Sequence, residues 1–110
     1  MSIRKIHILI LHHQNLDRKA MKEVCAGLEE EGVPYLLQDE NQLDNCVELA
    51  AMAASSSTLQ VGIGINQTGE LCVHHEKLKK EEPYLLGDLQ NGRKVGKNAA
   101  RLVKGLPLIL

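Results

Sequence analysis

Two histidine pairs, His12-His13 and His74-His75, are the first residues of this chain that could do chemistry. Imidazole nitrogens move protons near neutral pH and bind borderline metals. Each pair falls in a strand-like stretch, where neighbouring side chains point to opposite faces. Neither pair can chelate one ion alone, so a metal site would need both pairs to converge; strand-end histidines turned to solvent are the plainer expectation. "GIGIN" at 62–66 has the G-x-G of a dinucleotide site but lacks the third glycine and the following helix. Its glycines are expected instead to let a helix pack closely on a sheet. Cys25, Cys46 and Cys72 form no C-x-x-C and no Cys–His or Cys₂His₂ spacing, which suits packed, reduced thiols. No Ser–His–Asp arrangement is present.

Charge gives a sharper question. Glu29, Glu30 and Glu31 fall in the last turn of a predicted helix, beside the helix-stopping Gly32. That end of a helix carries a partial negative charge, so each acid there costs roughly 0.3–1 kcal/mol unless a cation answers it. With Leu28 as the core direction, Glu30 lies about 200° around the helix and points most directly outward, on the face it shares with Lys19, Glu23 and Ala26. A cation from a partner chain, or a divalent metal whose other ligands come from that chain, would remove the penalty. Lys97, Arg101 and Lys104 form a basic edge on the last predicted helix, either solvated or a docking surface for an acidic partner.

The elements that must position these residues follow from periodicity. Residues 3–11 read as a buried strand. A helix opens at Asn15 or Asp17, carries Leu16, Ala20, Met21, Val24, Cys25 and Leu28 as its apolar stripe, and stops at Gly32 and Pro34. Residues 35–38 are a short strand. Asn41 caps a helix over about 42–55, with Leu43, Val47, Ala50, Ala51 and Ala54 on its buried side. Residues 61–65 and the "LCVHH" stretch form a hairpin around "NQTGE". "PYLLG" is a fifth strand, and "RKVGKNAARLVK" a last helix closed by Gly105 and Pro107. The order predicts an α/β fold with a mixed sheet, as one domain over residues 1–110.

Composition narrows the function. A formal net charge of −1 gives no field for a polyanion, and two tyrosines with no Phe or Trp are too few for stacking on bases, so no nucleic-acid partner is expected. The apolar run near the start is too short and interrupted to span a membrane.

Taken together, "GLEEEGVPYLLQ" (27–38), "VGIGI" (61–65), "LCVHHEKLKKEEPYLL" (71–86) and "GKNAARLVKGLPL" (96–108) resemble the small (β) subunits of diol or glycerol dehydratase reactivating factors. The resemblance implies a three-layer α/β/α fold with a mixed five-stranded sheet, anticodon-binding-domain-like and similar to the β subunit of the dehydratase. It implies a non-catalytic subunit that works with a large ATPase subunit, ATP being bound by that partner. The complex would release damaged cobalamin from an adenosylcobalamin-dependent dehydratase by subunit exchange. It implies a divalent metal (Mg or Ca) shared with the large subunit through the middle glutamate of E-E-E-G, here Glu30; with the outer face and the basic edge read above, the expected interface includes Glu23, Glu30, Lys97, Arg101 and Lys104. A cytoplasmic setting is implied, free or inside a bacterial microcompartment. Lys97 departs from the family pattern, which has a second Asn there. The competing expectations are an accessory subunit of the dehydratase itself, which is generally much longer, and a small stand-alone α/β enzyme. The enzyme would require a large cleft lined by His12, His13 and Asp39.

Overall fold

The computed structural model describes residues 6–109, so residues 3–5 of the expected first strand lie outside it. Strand β1 spans Ile8–His13. It is followed by α1 (Lys22–Glu30), β2 (Tyr35–Glu40), α2 (Cys46–Ser56), β3 (Val61–Ile65), β4 (Glu70–His75), β5 (Leu85–Asp88), a 3₁₀ turn (Leu89–Asn91) and α3 (Gly92–Lys104). The five strands lie in the order β2-β1-β3-β4-β5. β1 runs parallel to β2 and β3, and β4 runs antiparallel to β3 and β5. This is the mixed five-stranded sheet that the sequence predicts.

Alternation along the strands feeds two helical layers. Ile8, Ile10, Ile63 and Val73 pack with Val24 and Leu28 of α1 and Val95 and Ala99 of α3. Leu9 and Leu11 point the other way, against Leu49 and Ala53 of α2. β1 is therefore apolar at every position from Ile8 to Leu11 because both its faces are covered. The glycines of β3 set the spacing of the α2 layer. A Cβ on Gly62 would lie 2.1 Å from the Ala54 nitrogen, and one on Gly64 2.4 Å from the Ala50 nitrogen. The backbones touch there, as the G-x-G reading expected.

Both early helices start later than expected. Residues 17–22 are wound by i→i+3 bonds, from the Ala20 N–H to the Asp17 carbonyl (3.2 Å) and from Met21 to Arg18 (3.2 Å). Asp17 Oδ1 also accepts from the Ala20 N–H at 2.8 Å, so Asp17 ties a turn and Ala20 stays exposed. The second helix is capped by Asn45, whose Oδ1 accepts from Val47 N–H (2.9 Å) and Glu48 N–H (3.1 Å). Asn41 does not cap it: residues 41–45 are not helical, and the Glu40 carboxylate accepts the N–H groups of Asn41 and Gln42 in a turn there. The later start moves the buried line to Leu49, Ala50, Ala53 and Ala54, leaving Val47 and Ala51 half-buried.

The stops behave as expected. Gly32 has φ +74°, its N–H reaches the Glu29 carbonyl, and the Val33 N–H reaches the Leu28 carbonyl, both at 3.0 Å. This is a Schellman closure, which needs a residue at ease with positive φ. α3 ends likewise at Gly105, with the Leu106 N–H on the Arg101 carbonyl at 2.9 Å. The chain beyond is drawn back by the buried Asn98. Its side chain donates to the Ile109 carbonyl (3.1 Å) and accepts from the Ile109 N–H (2.7 Å).

Candidate functional site

The histidine pairs do not meet. His12 stands opposite Ile65 at one end of β3, whereas His74 stands opposite Gly62 at the other, because β4 runs back against β3. Nor do both members of each pair face solvent. His12 and His74 are buried, and His13 and His75 are half-buried. His74 has Nδ1 3.0 Å from the His75 carbonyl and Nε2 3.0 Å from the Lys80 carbonyl, so it moors the β4–β5 connection. An open cleft of about 420 Å³ does lie beside His12 and Asp39, with Asp17, Arg18 and Gln38 on its walls. His13 is not part of it, and His12 Nδ1 is engaged by the His13 carbonyl at 3.0 Å. The cleft expected of a stand-alone enzyme is thus present only in part, with His12 and Asp39 but without His13.

The thiols are packing groups. Burial pushes the Cys72 thiol up to about 12, and burial likewise raises Cys25 and Cys46. They are neutral at physiological pH and poor nucleophiles.

The charged residues do converge. α1 and α3 lie side by side on one face of the sheet, drawn together by facing glycines. A Cβ on Gly27 would lie 2.2 Å from the Arg93 carbonyl oxygen, and one on Gly96 2.3 Å from that of Val24. Along this seam the acids of α1 meet the bases of α3. Arg93 Nε sits 3.1 Å from Glu23 Oε1, and Arg93 Nη1 3.3 Å from Glu30 Oε2. Lys97 Nζ sits 3.2 Å from Glu30 Oε1. Glu31 takes Arg101 at 3.7 Å and Lys104 at 3.6 Å, and Lys104 also donates to the Glu31 carbonyl. Glu29 accepts a 2.7 Å hydrogen bond from the Tyr35 hydroxyl on the far side of α1. Burial and that bond to the carboxylate raise the Tyr35 phenol above its ordinary range.

All five residues singled out from sequence, Glu23, Glu30, Lys97, Arg101 and Lys104, therefore lie on one strip and are paired within this chain: Glu30 with Lys97, Glu23 with Arg93, and Arg101 and Lys104 with Glu31. Glu30 is exposed, as its position opposite Leu28 predicts, but it is not free: both its carboxylate oxygens already meet cations of α3. The basic edge of α3 has its acidic counterpart within the same chain. The sequence reading missed Arg93, and it named Glu31 as an acid at the helix end without assigning it a partner. The signal for Arg93 was available, since it stands one turn before Lys97 and extends the basic repeat.

These residues do not fit a divalent ion as they stand. Such an ion takes about six or more oxygen ligands. Glu30 offers one carboxylate with both oxygens facing cations, and its neighbours Glu23 and Glu31 are turned to their own. Among the described residues, no three His, Cys, Asp or Glu side chains gather where they could hold a metal. Nor, among them, is any helix long and apolar enough to cross a membrane.

Comparison with known proteins gives a consistent picture. Residues 6–109 match the family described as "Dehydratase medium subunit". A "Probable glycerol dehydratase-reactivating factor small subunit" of Citrobacter freundii is 37% identical over 103 residues, which span 90% of this chain and 88% of that one. A solved "Glycerol dehydratase reactivase" chain superposes with a TM-score of 0.90 at 32% identity, covering 96% of this chain and 98% of its own. A chain from a "diol dehydratase-reactivating factor complexed with ADP and Mg2+" superposes with a TM-score of 0.86 at 37% identity, covering 97% and 100%.

Proposed function

This chain belongs to the dehydratase medium-subunit family, among the small subunits of glycerol and diol dehydratase-reactivating factors, and on that premise we propose that it is the non-catalytic partner of a large ATPase subunit. The end-to-end superposition on reactivase chains carries this reading. The large subunit binds the nucleotide. Together the two subunits recognise an adenosylcobalamin-dependent dehydratase that holds damaged cobalamin, and they let the damaged cofactor leave. The small subunit acts by place exchange, leaving the ATPase subunit and pairing with a dehydratase subunit in the position of the enzyme's own look-alike subunit. Exchange of this kind requires contacts of moderate strength, so that either complex can be populated. The client acts on glycerol or on a vicinal diol, and small subunits for both kinds of client resemble this chain. The three free cysteines suit a reducing cytoplasmic setting, in bulk cytosol or inside a protein shell.

Co-purification tests this. The tagged chain is mixed separately with a reactivase ATPase subunit and with the cobalamin-binding subunits of a dehydratase. Stable capture of the ATPase subunit is expected. Capture of the dehydratase subunits alone, with the ATPase subunit flowing through, would make the chain an accessory dehydratase subunit instead.

A further inference from the structure

The seam between α1 and α3 bears on how this subunit meets its partner. Its ion pairs set four cations, Arg93, Lys97, Arg101 and Lys104, against three carboxylates, Glu23, Glu30 and Glu31. The strip therefore holds one positive charge in excess before any ion arrives. Glu30 is its centre, with Lys97 on one carboxylate oxygen and Arg93 on the other, and its side chain keeps 42% exposure. A divalent ion brought to Glu30 would stand beside an ammonium and a guanidinium and would raise the excess to three.

We propose that Arg93 and Lys97 take the place of a metal in this chain: they supply at Glu30 the positive charge that a bridging divalent ion would supply, and the subunit joins its large partner without an ion at that carboxylate. The inference rests on the proposed function. A lysine ammonium is a compact cation on a flexible stem, able to occupy the position of an ion and to be displaced from it. Arg93 is the fixed member, because its guanidinium is also held by both oxygens of Glu23. The arrangement makes Lys97 the residue that decides whether Glu30 is open to a metal.

The experiment measures association of this chain with a nucleotide-free large subunit at constant ionic strength, in Mg²⁺ and then in chelator. Omitting nucleotide removes the Mg²⁺ that would otherwise bridge its phosphates. Association itself bears on the proposed function; its dependence on Mg²⁺ bears on the inference. The wild type is expected to change less than about twofold on chelation, and Arg93→Gln/Lys97→Gln, which strips Glu30 of its cations, to gain a Mg²⁺ dependence of about tenfold. Lys97→Gln alone is expected to fall between them. Thermal unfolding of each variant confirms that it is folded. A wild-type association that weakens about tenfold in chelator, and loses that sensitivity in Glu30→Gln, overturns the inference. So does an Arg93→Gln/Lys97→Gln variant as indifferent to Mg²⁺ as the wild type.

Discussion

α2 meets the sheet and α1 meets α3 by the same device, a pair of glycines that lets backbones touch, yet the two contacts are finished differently. Under α2 the contact is dry. Gly62 and Gly64 lie against Ala54 and Ala50, with Leu49 and Ala53 on Leu9 and Leu11 around them. Between α1 and α3, Gly27 and Gly96 make an approach just as close, but the open side of the groove is closed by half-exposed ion pairs. Close packing supplies the stability in both places. The ion pairs of the second seam add little energy, about 0.2–1 kcal/mol each at such exposure. Their effect is to answer most of the like charges along each helix, leaving one cation in excess.

Adding a methyl group to each contact is the strongest way to break the comparison. Gly62→Ala drives a Cβ into the α2 backbone under a central strand and is expected to cost about 3 kcal/mol. Gly96→Ala makes an equally close clash, 2.3 Å from the Val24 carbonyl oxygen. Its expected cost is smaller, about 2 kcal/mol, because a helical alanine recovers part of the loss and a surface pair can splay toward solvent. Urea unfolding of both variants checks the order. Equal losses would mean that the charged seam is as rigid as the dry one.

Alkaline pH probes the dry side. Cys72 lies on the α2 face of β4, fully buried, and burial raises its thiol from an ordinary value of 9.0 to about 12. In the window between these values the unfolded chain gives up the thiol proton while the folded chain keeps it. Stability is therefore complete below about pH 9 and falls as pH rises toward 12, with a limiting slope of about tenfold in the folding equilibrium per pH unit. Cys72→Ala, less stable overall, is expected to lose that part of the slope when urea midpoints are followed across this range in reductant.

The smallest expected effect sits in the charged seam. A double-mutant cycle with Glu30→Gln and Lys97→Gln should give a coupling of about 0.5 kcal/mol at low ionic strength, fading in about 1 M salt. A coupling above about 2 kcal/mol would place the pair with buried ion pairs and reverse the contrast between the seams.

The legible parts of this fold are those where one residue type decides locally. Gly32 and Gly105 mark helix ends, "NQTGE" marks the hairpin, and Gly62 and Gly64 announce a close-packed helix. Helix starts were less legible because Asp17, Asn41 and Asn45 are all plausible caps. What separates them is a competing bond, such as the Glu40 carboxylate holding the Asn41 and Gln42 N–H groups. The charged strip was found in sequence as a set of residues but not as a set of contacts. A helical wheel centred on Leu28 assumes that a helix has one buried side. α1 has two, the sheet and α3, and the second is named only by Gly27, whose missing side chain carries no hydropathy signal. His74 escaped for a related reason, since its partners are main-chain carbonyls that no side-chain pattern encodes.

That mooring has a consequence for the β4–β5 connection. The ring reaches the backbone oxygen of Lys80, so the attachment is indifferent to which side chain stands at 80. Residues 76–82, almost all charged, can exchange lysine for glutamate without rerouting the chain. The surface identity of this loop is free to vary while its path stays anchored from within, so homologous subunits can wear different charge patterns there on an unchanged frame.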